Sequence, residues 1–308
     1  MAKAKTKVSN KVKESRADKA FDITLFIILT LILIIVAYPL YFVIIASISD
    51  PQAVSGGDVT FLPVGFSLDG YAEVFKDTRV MRSFVNSIFY TTVGTCINLI
   101  VTIPTAYTLS RRQFAGKKFV TFFYMVTMFV SGGMIPTYLV VKNMQMLDTM
   151  WSLIVPGAMS VYNMIVARTF FESSLPEELF EAATVDGCGH TKFFFKIALP
   201  LSKAIIAIMV LYYGIGHWNN YFSALLYMKT ESKYPLQLVL RSILISNEAN
   251  LSMAVTTPEM QQALQEQQAL VDLMKYSLII VSSIPVMILY PFIQKHFVKG
   301  VMIGSVKG

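Results

Sequence analysis

The chain has 308 residues, of which 55% are hydrophobic and only 15% charged, with a formal net charge of +7. That is too apolar for a soluble domain of ordinary charge content. The two cysteines, Cys96 in an apolar run and Cys188 in a polar one, are not placed to pair, and neither has metal-ligand company.

Where the charges are missing matters most. Six stretches contain no Asp, Glu, Lys or Arg: 23–49, 83–110, 119–141, 149–167, 204–228 and 276–294. Each is 19 residues or longer. About 20 apolar residues wound as a helix cross the hydrocarbon core, and lipid offers the backbone no hydrogen-bond partners. These runs are long and continuous, unlike the short alternating strands of a barrel. The expectation is an all-α integral membrane protein with six transmembrane helices over 21–297.

Residues 1–20 form a basic tail with seven Lys or Arg. The apolar run after it is too long for a signal-peptide core, so it reads as an uncleaved first span. With six spans both termini share a side. If that side is cytoplasmic, the inside segments hold 18 of the 26 Lys and Arg and 8 of the 19 acidic residues. This agrees with the positive-inside rule. The positive charge is thus a topology signal, spread over short loops, and weak evidence for nucleic acid.

An external segment, about 50–82, follows the first span, with a short amphipathic piece from Tyr71 to Phe75. The second span carries Asn86, Asn98 and Pro104, and a tight basic loop, RRQFAGKK, turns back at Gly116. The third contains Ser131-Gly132-Gly133 and Pro136, which suit either close helix packing or a gate hinge. The fourth carries Pro156, Tyr162 and Asn163, and the fifth carries Tyr212-Tyr213 and His217-Trp218-Asn219-Asn220-Tyr221-Phe222. A second external loop, 229–270, contains an amphipathic piece from Pro235 to Ile245 and a helix start at Thr257-Pro258-Glu259. The chain ends in a short tail, 298–308.

Between spans four and five lies the long polar segment 173–200, acidic and then basic. Ser174 and Glu177 have capping-box spacing, Pro176 suits a first turn, and Glu177, Glu178 and Glu181 favour the positive end of a helix dipole. Gly187 and Gly189 bracket a break. Thr191 can cap a second helix, which carries Lys192 and Lys196 and runs into span five as a stiff lever.

The absences also narrow the function. The sequence has no phosphate-binding Gly-x-x-x-x-Gly-Lys-Ser/Thr loop, no His-Glu-x-x-His and no Gly-x-Ser-x-Gly. No Asp, Glu, Lys or Arg lies inside a span, which disfavours a proton-driven carrier, although His217 alone remains available. Tyr162, Asn163, Trp218, Asn219, Asn220 and Tyr221 are the candidate substrate-pathway residues, since amides and hydroxyls match sugar hydroxyls and aromatic faces stack on sugar rings. The same residues equally suit helix-to-helix pins, and Tyr227 suits an interfacial belt.

Glu181-Ala-Ala-Thr-Val-Asp-Gly187, nine residues and then Ile197-Ala-Leu-Pro200 resemble the EAA loop of ABC-importer permease subunits. The ending KGVMIGSVKG is similar to that of the carbohydrate-type, complex-oligosaccharide subgroup. Cys188, where the family often has alanine, and Ala204, where a second proline is common, are mild departures. The resemblance implies a type I ABC importer fold with both termini cytoplasmic in the bacterial cell membrane. It implies a heterodimer with a second permease subunit, two cytoplasmic ATPase subunits that hold ATP and Mg, and an extracellular solute-binding protein. The 229–270 loop is the candidate to reach that binding protein. No cofactor or metal is expected on this chain. The implied ATPase-coupling residues are Glu178, Glu181, Ala182, Ala183, Asp186, Gly187, Leu199 and Pro200.

Overall fold

The computed structural model describes residues 15–250, 269 and 271–291. The tails at 1–14 and 298–308 and the helix start at Thr257-Pro258-Glu259 lie outside the described residues, which contain helices and no strands.

Among the described residues three helices are long and apolar enough to cross a membrane unbroken: α1 (Arg16–Ser47), α4 (Thr78–Ser110) and, last of those described, α15 (Val271–Pro291). Ser15 opens α1 with a complete capping box, its Oγ accepting from the Asp18 N–H at 3.1 Å. From 16 to 41 every side chain of α1 but Thr30 is exposed. A helix apolar all round and uncovered by the described residues suits a surrounding of lipid or another protein.

Two short helices, α2 (Pro51–Gly56) and α3 (Asp69–Lys76), separate α1 from α4. Asp77 caps α4 through the Arg79 N–H, and Pro104 is carried within the helix. Three further apolar helices are broken. α5 (Lys117–Phe129) and α6 (Met134–Asn143) meet at 114°. The turn falls on Ser131-Gly132-Gly133, with Gly133 at a φ of +84° and open space where a Cβ would be. Gly133 therefore serves the turn, in a backbone conformation that favours glycine. α7 (Trp151–Ile154) runs through a 3-10 turn at Val155–Gly157 and meets α8 (Val161–Ser174) at 51°.

The expected polar hairpin follows as α9 (Glu177–Val185) and α10 (His190–Phe193). α10 continues through a π-helical turn (Phe194–Ala198) into α11 (Leu199–Leu201), which meets α12 (Lys203–Trp218) at 78°. The expectation that this hairpin runs straight into the next span is thus corrected. Pro200 has no N–H for the helical ladder, and the chain turns at Ser202 two residues later. α13 (Phe222–Tyr227) and α14 (Leu236–Asn250) follow. α4 packs along both α8 and α12, and its N-terminal part packs on α14.

The main core gathers Tyr107 and Leu109 from α4, Met164 and Phe171 from α8, Phe180 from α9, Phe193 from α10 and Met209 from α12. A second cluster, around Trp218, Val80, Leu236 and Leu278, lies at the other end of α4.

Candidate functional site: a coupling loop and a polar cleft

The hairpin is built from its glycine outwards. Gly187 sits at φ +75° just past the end of α9. Its N–H donates to Thr184 O and the Cys188 N–H donates to Ala183 O, both at 2.9 Å. This is a Schellman closure with glycine in the left-handed position, and Ala183 and Cys188 supply its buried apolar contact. Phe180 reaches inward from α9, stacks on His190 at 4.6 Å and meets Phe193 edge-on at 5.1 Å. Phe193 and Phe194 in turn pack on Tyr107 near the end of α4.

With Phe180 and Ala183 turned in, the opposite face of α9 is exposed. Glu178, Glu181, Ala182 and Asp186 all lie on it, and Val185 is 89% exposed. Acidic groups around small apolar ones form a surface suited to a groove in another protein. Of the remaining coupling candidates, Leu199 is half-buried and Pro200 exposed.

Two capping expectations are corrected. Pro176, not Ser174, is the N-cap of α9, and Glu177 is drawn sideways to the 111–118 loop. Its Oε1 accepts from Gln113 at 3.2 Å, and its Oε2 lies 3.7 Å from Arg111. Gly189, not Thr191, opens α10. Arg111, which the sequence places in a tight basic loop, is only 5% exposed. Its Nη2 donates to Phe171 O and Leu175 O, each at 3.2 Å, so it satisfies the terminal carbonyls of α8. The guanidinium also lies 5.1 Å from the Tyr107 ring centre.

The second feature is a cleft of about 510 Å³ where the broken helices meet. Thr137, the Pro156-Gly157 turn, Ser160, Asn163, Tyr212, Tyr213, His217, Asn220 and Tyr227 contribute to its wall. Unwound backbone is tolerated at membrane depth where it lines such a cavity. Two hydrogen-bond sets hold the wall. The Tyr213 hydroxyl lies 2.7 Å from Thr102 Oγ1 and accepts the Ser160 N–H at 3.1 Å, stitching α12 to α4 and to the start of α8. Asn98 Nδ2 donates to Gly157 O at 2.7 Å, and Asn98 Oδ1 is 2.6 Å from His217 Nε2. A carbonyl only accepts, so this amide orientation makes His217 Nε2 the donor and leaves Nδ1 as an acceptor in the neutral ring. Gly94 makes room for the imidazole: a Cβ there would stand 2.5 Å from Nε2.

Of the sequence-predicted pathway residues, Asn163 and Asn220 line this cleft; Tyr162, Trp218, Asn219 and Tyr221 do not. Trp218 is buried, donates from Nε1 to Ser282 O at 3.0 Å and meets Phe84 edge-on. It fastens α12 to α15. Tyr162 is exposed, as is Tyr221, which carries Arg241 over its ring. Asn219 is the exposed C-cap of α12. Tyr227, expected at an interfacial belt, is a buried wall residue stacked near Tyr138. Asn98, Tyr213 and Ser160 were missed as site residues; their only sequence signal was a polar group within an uncharged run.

Away from the cleft, Asp148 ties two loops together. It accepts from the Lys229 and Thr230 N–H groups at 3.0 Å, from Thr230 Oγ1 at 2.7 Å and from Lys233 Nζ at 2.8 Å. Lys233 foremost, then these N–H and hydroxyl donors, hold its carboxyl well below the usual carboxylate range. Among the described residues there is no group of three His, Cys, Asp or Glu that could hold a metal ion.

No family model matches the chain. Individual relatives do. It is 40% identical to Protein LplC of Bacillus subtilis, with 96% of this chain and 97% of LplC covered. It is 38% identical to the polygalacturonan/rhamnogalacturonan transport system permease protein YtcP of the same organism, over 94% of this chain and 99% of YtcP. In the crystal structure of a bacterial ABC transporter involved in the import of the acidic polysaccharide alginate, one chain superposes with a TM-score of 0.83. That chain is 31% identical, with 93% of this chain and 99% of that one covered. The chain belongs to the permease subunits of bacterial ABC importers for sugars and oligosaccharides, proteins of the cell membrane.

Proposed function

We propose that this permease crosses the membrane six times, each bent helix pair counting as one crossing, with both termini and the 173–200 hairpin in the cytoplasm. It pairs with a second permease subunit. Each of the two engages a separate ATPase subunit, which holds ATP and Mg, and an extracellular binding protein delivers the cargo. The observation that carries this reading is the outward face of α9, Glu178 to Asp186, locked by Gly187 onto an aromatic core that touches the end of α4. ATP-driven closure of the ATPases displaces α9 and α10. Through Phe193, Phe194 and Arg111 the displacement reaches α4, an unbroken helix that carries Thr102 and Asn98 to the cleft.

The cargo is an oligosaccharide. The cleft wall offers amides, hydroxyls, aromatic faces and one imidazole, and no Asp, Glu, Lys or Arg contributes to it among the described residues. Such a wall reads sugar hydroxyls. An acidic cargo, of the kind named for the importer of the acidic polysaccharide alginate, would find its cations on the partner subunit.

Reconstitution of the chain with its partner permease, ATPase and binding protein into liposomes tests the proposal. Oligosaccharide uptake should require internal ATP and all partners. Solute flux through the purified chain alone would indicate a stand-alone channel or carrier, and preference of the assembled complex for peptides would refute the sugar assignment.

A further inference from the structure

At the loop end of α5 the chain forms a second hollow, of about 500 Å³, separate from the polar cleft. Arg112, Lys117 and Lys118 contribute from the 111–118 loop and the start of α5, and Arg168 from α8. Glu172 is shared by two of these four cations, 2.6 Å from Lys117 Nζ and 3.1 Å from Arg168 Nη2. Arg168 also donates to Thr121 Oγ1 at 3.0 Å, which fixes its guanidinium against α5. Arg112 and Lys118 are exposed and make no ion pair among the described residues. The hollow therefore keeps a clear excess of positive charge around a single carboxylate.

Its floor is not polar. Phe122 and Met125 line it and are 66% and 42% exposed. They continue into an apolar face of α5 left exposed by the described residues, while Val120 and Tyr124 on its other side pack half-buried on the main core. The combination is thus directional: cations at the helix end, then an aromatic and a thioether one and two turns further along the helix. A positive mouth above an apolar wall at the end of a membrane helix matches an amphiphile with an anionic head.

We infer that this hollow binds an anionic phospholipid, its phosphate among Arg112, Lys117, Lys118 and Arg168 and its acyl chains along Phe122 and Met125. The inference rests on reading 119–141 as a membrane crossing with the 111–118 loop at the cytoplasmic surface. A bound lipid would cover the basic loop beside Arg111 and steady the end of α8.

The test is native mass spectrometry of the purified full chain titrated with phosphatidylglycerol, with phosphatidylcholine and with inorganic phosphate as competitor. Phosphatidylglycerol should bind about tenfold or more tightly than phosphatidylcholine. The double variant Arg112→Gln/Lys118→Gln should lose about tenfold of that affinity and leave phosphatidylcholine unchanged. Equal retention of both lipids, or unchanged phosphatidylglycerol binding by the double variant, overturns the inference. Displacement by inorganic phosphate alone assigns the hollow to a free anion and also overturns it. Loss of partner-subunit co-purification in the double variant, with lipid binding intact, assigns it to a protein contact instead. The topology on which it rests is checked separately, by thiol labelling of Ala115→Cys in inside-out vesicles of a chain lacking Cys96 and Cys188. Inaccessibility there would contradict the topology without touching the lipid measurement.

Discussion

The Arg111 guanidinium stands 3.7 Å from the Glu177 carboxylate, where the end of α4 meets the first turn of the α9–α10 hairpin. The same guanidinium holds two terminal carbonyls of α8. One buried cation therefore joins three elements: the unbroken helix, the bent helix beside the cleft and the hairpin. α12, by contrast, is separated from the hairpin by a 78° turn. On the proposed function, motion of the hairpin would reach the cleft through α4, which carries no such turn.

Removing Arg111 should cost both stability and coupling. Arg111→Ala removes the side-chain donor from Leu175 O, leaves Phe171 O with the Leu175 N–H alone and opens a gap beside Tyr107. A loss of about 2–4 kcal/mol is expected, visible as a lower midpoint of thermal unfolding in detergent. Arg111→Lys should restore part of the stability, since one ammonium cannot reach both carbonyls and Glu177 in the planar geometry of a guanidinium. A midpoint unchanged in Arg111→Ala would show that the joint carries no load.

Gly94→Ala and Gly214→Ala form a matched pair. A Cβ on Gly94 would meet the His217 ring at 2.5 to 2.9 Å, so the imidazole must leave Asn98. A Cβ on Gly214 meets only Thr95 Oγ1, at an ordinary 3.8 Å. Oligosaccharide uptake should fall about tenfold or more in the first variant and stay near wild type in the second, with the same amount of protein in the membrane. Equal uptake in both would remove the Asn98–His217 pair from the pathway.

Gly187 and Gly189 differ in the same way. Gly187 is left-handed, so Gly187→Ala strains the Schellman closure by about 1–2 kcal/mol. Gly189 has an extended backbone, with φ −76° and ψ 166°, and open space around it. Gly189→Ala should therefore be silent. Thermal unfolding of the two variants under identical conditions separates these outcomes.

Asp148 gives a pH dependence whose sign is fixed. Its folded pKa lies below the unfolded value of about 4, so it adds stability above that value and loses it as pH falls through the folded one. The tie between the 148 and 229–233 segments should loosen on acidification from about pH 5 downwards. Lys233 is partly exposed, so the change should be about 1 kcal/mol or less. Limited proteolysis of the outer loops in membranes against pH measures it, and Asp148→Asn should be loose at neutral pH with little further dependence.

What could be read from the sequence was whatever depends on local pattern. Uncharged runs of the right length mark the apolar helices, because no other arrangement hides so many consecutive apolar groups. Gly187 was legible because the hairpin needs a residue free of the left-handed penalty. The 114°, 51° and 78° bends were not legible in size, since a glycine or proline marks a break without setting its angle. Nor were Arg111, Asn98 and Trp218. Two arginines in a short loop look solvated until Phe171 and Leu175, some 60 residues away in sequence, bring their carbonyls to one of them. Asn98 and His217 lie 119 residues apart, and an amide within an apolar run looks the same whether it meets a neighbour or a ligand. Trp218 follows that logic in reverse: its ring suggested sugar stacking, yet its partner is the Ser282 carbonyl.

The most direct test of the account targets the exposed face of α9. Glu181→Lys reverses a charge on that face, and Gly187→Asp forces a side chain and a strained backbone beside it. The measurement is ATP hydrolysis stimulated by the cargo-loaded binding protein, followed together with oligosaccharide uptake in liposomes containing the complete importer. Both variants should insert and pair with the second permease while stimulated hydrolysis and uptake fall to background. Wild-type uptake in either variant would contradict the assignment of Glu178 to Gly187 as the point where ATP-driven motion enters this subunit.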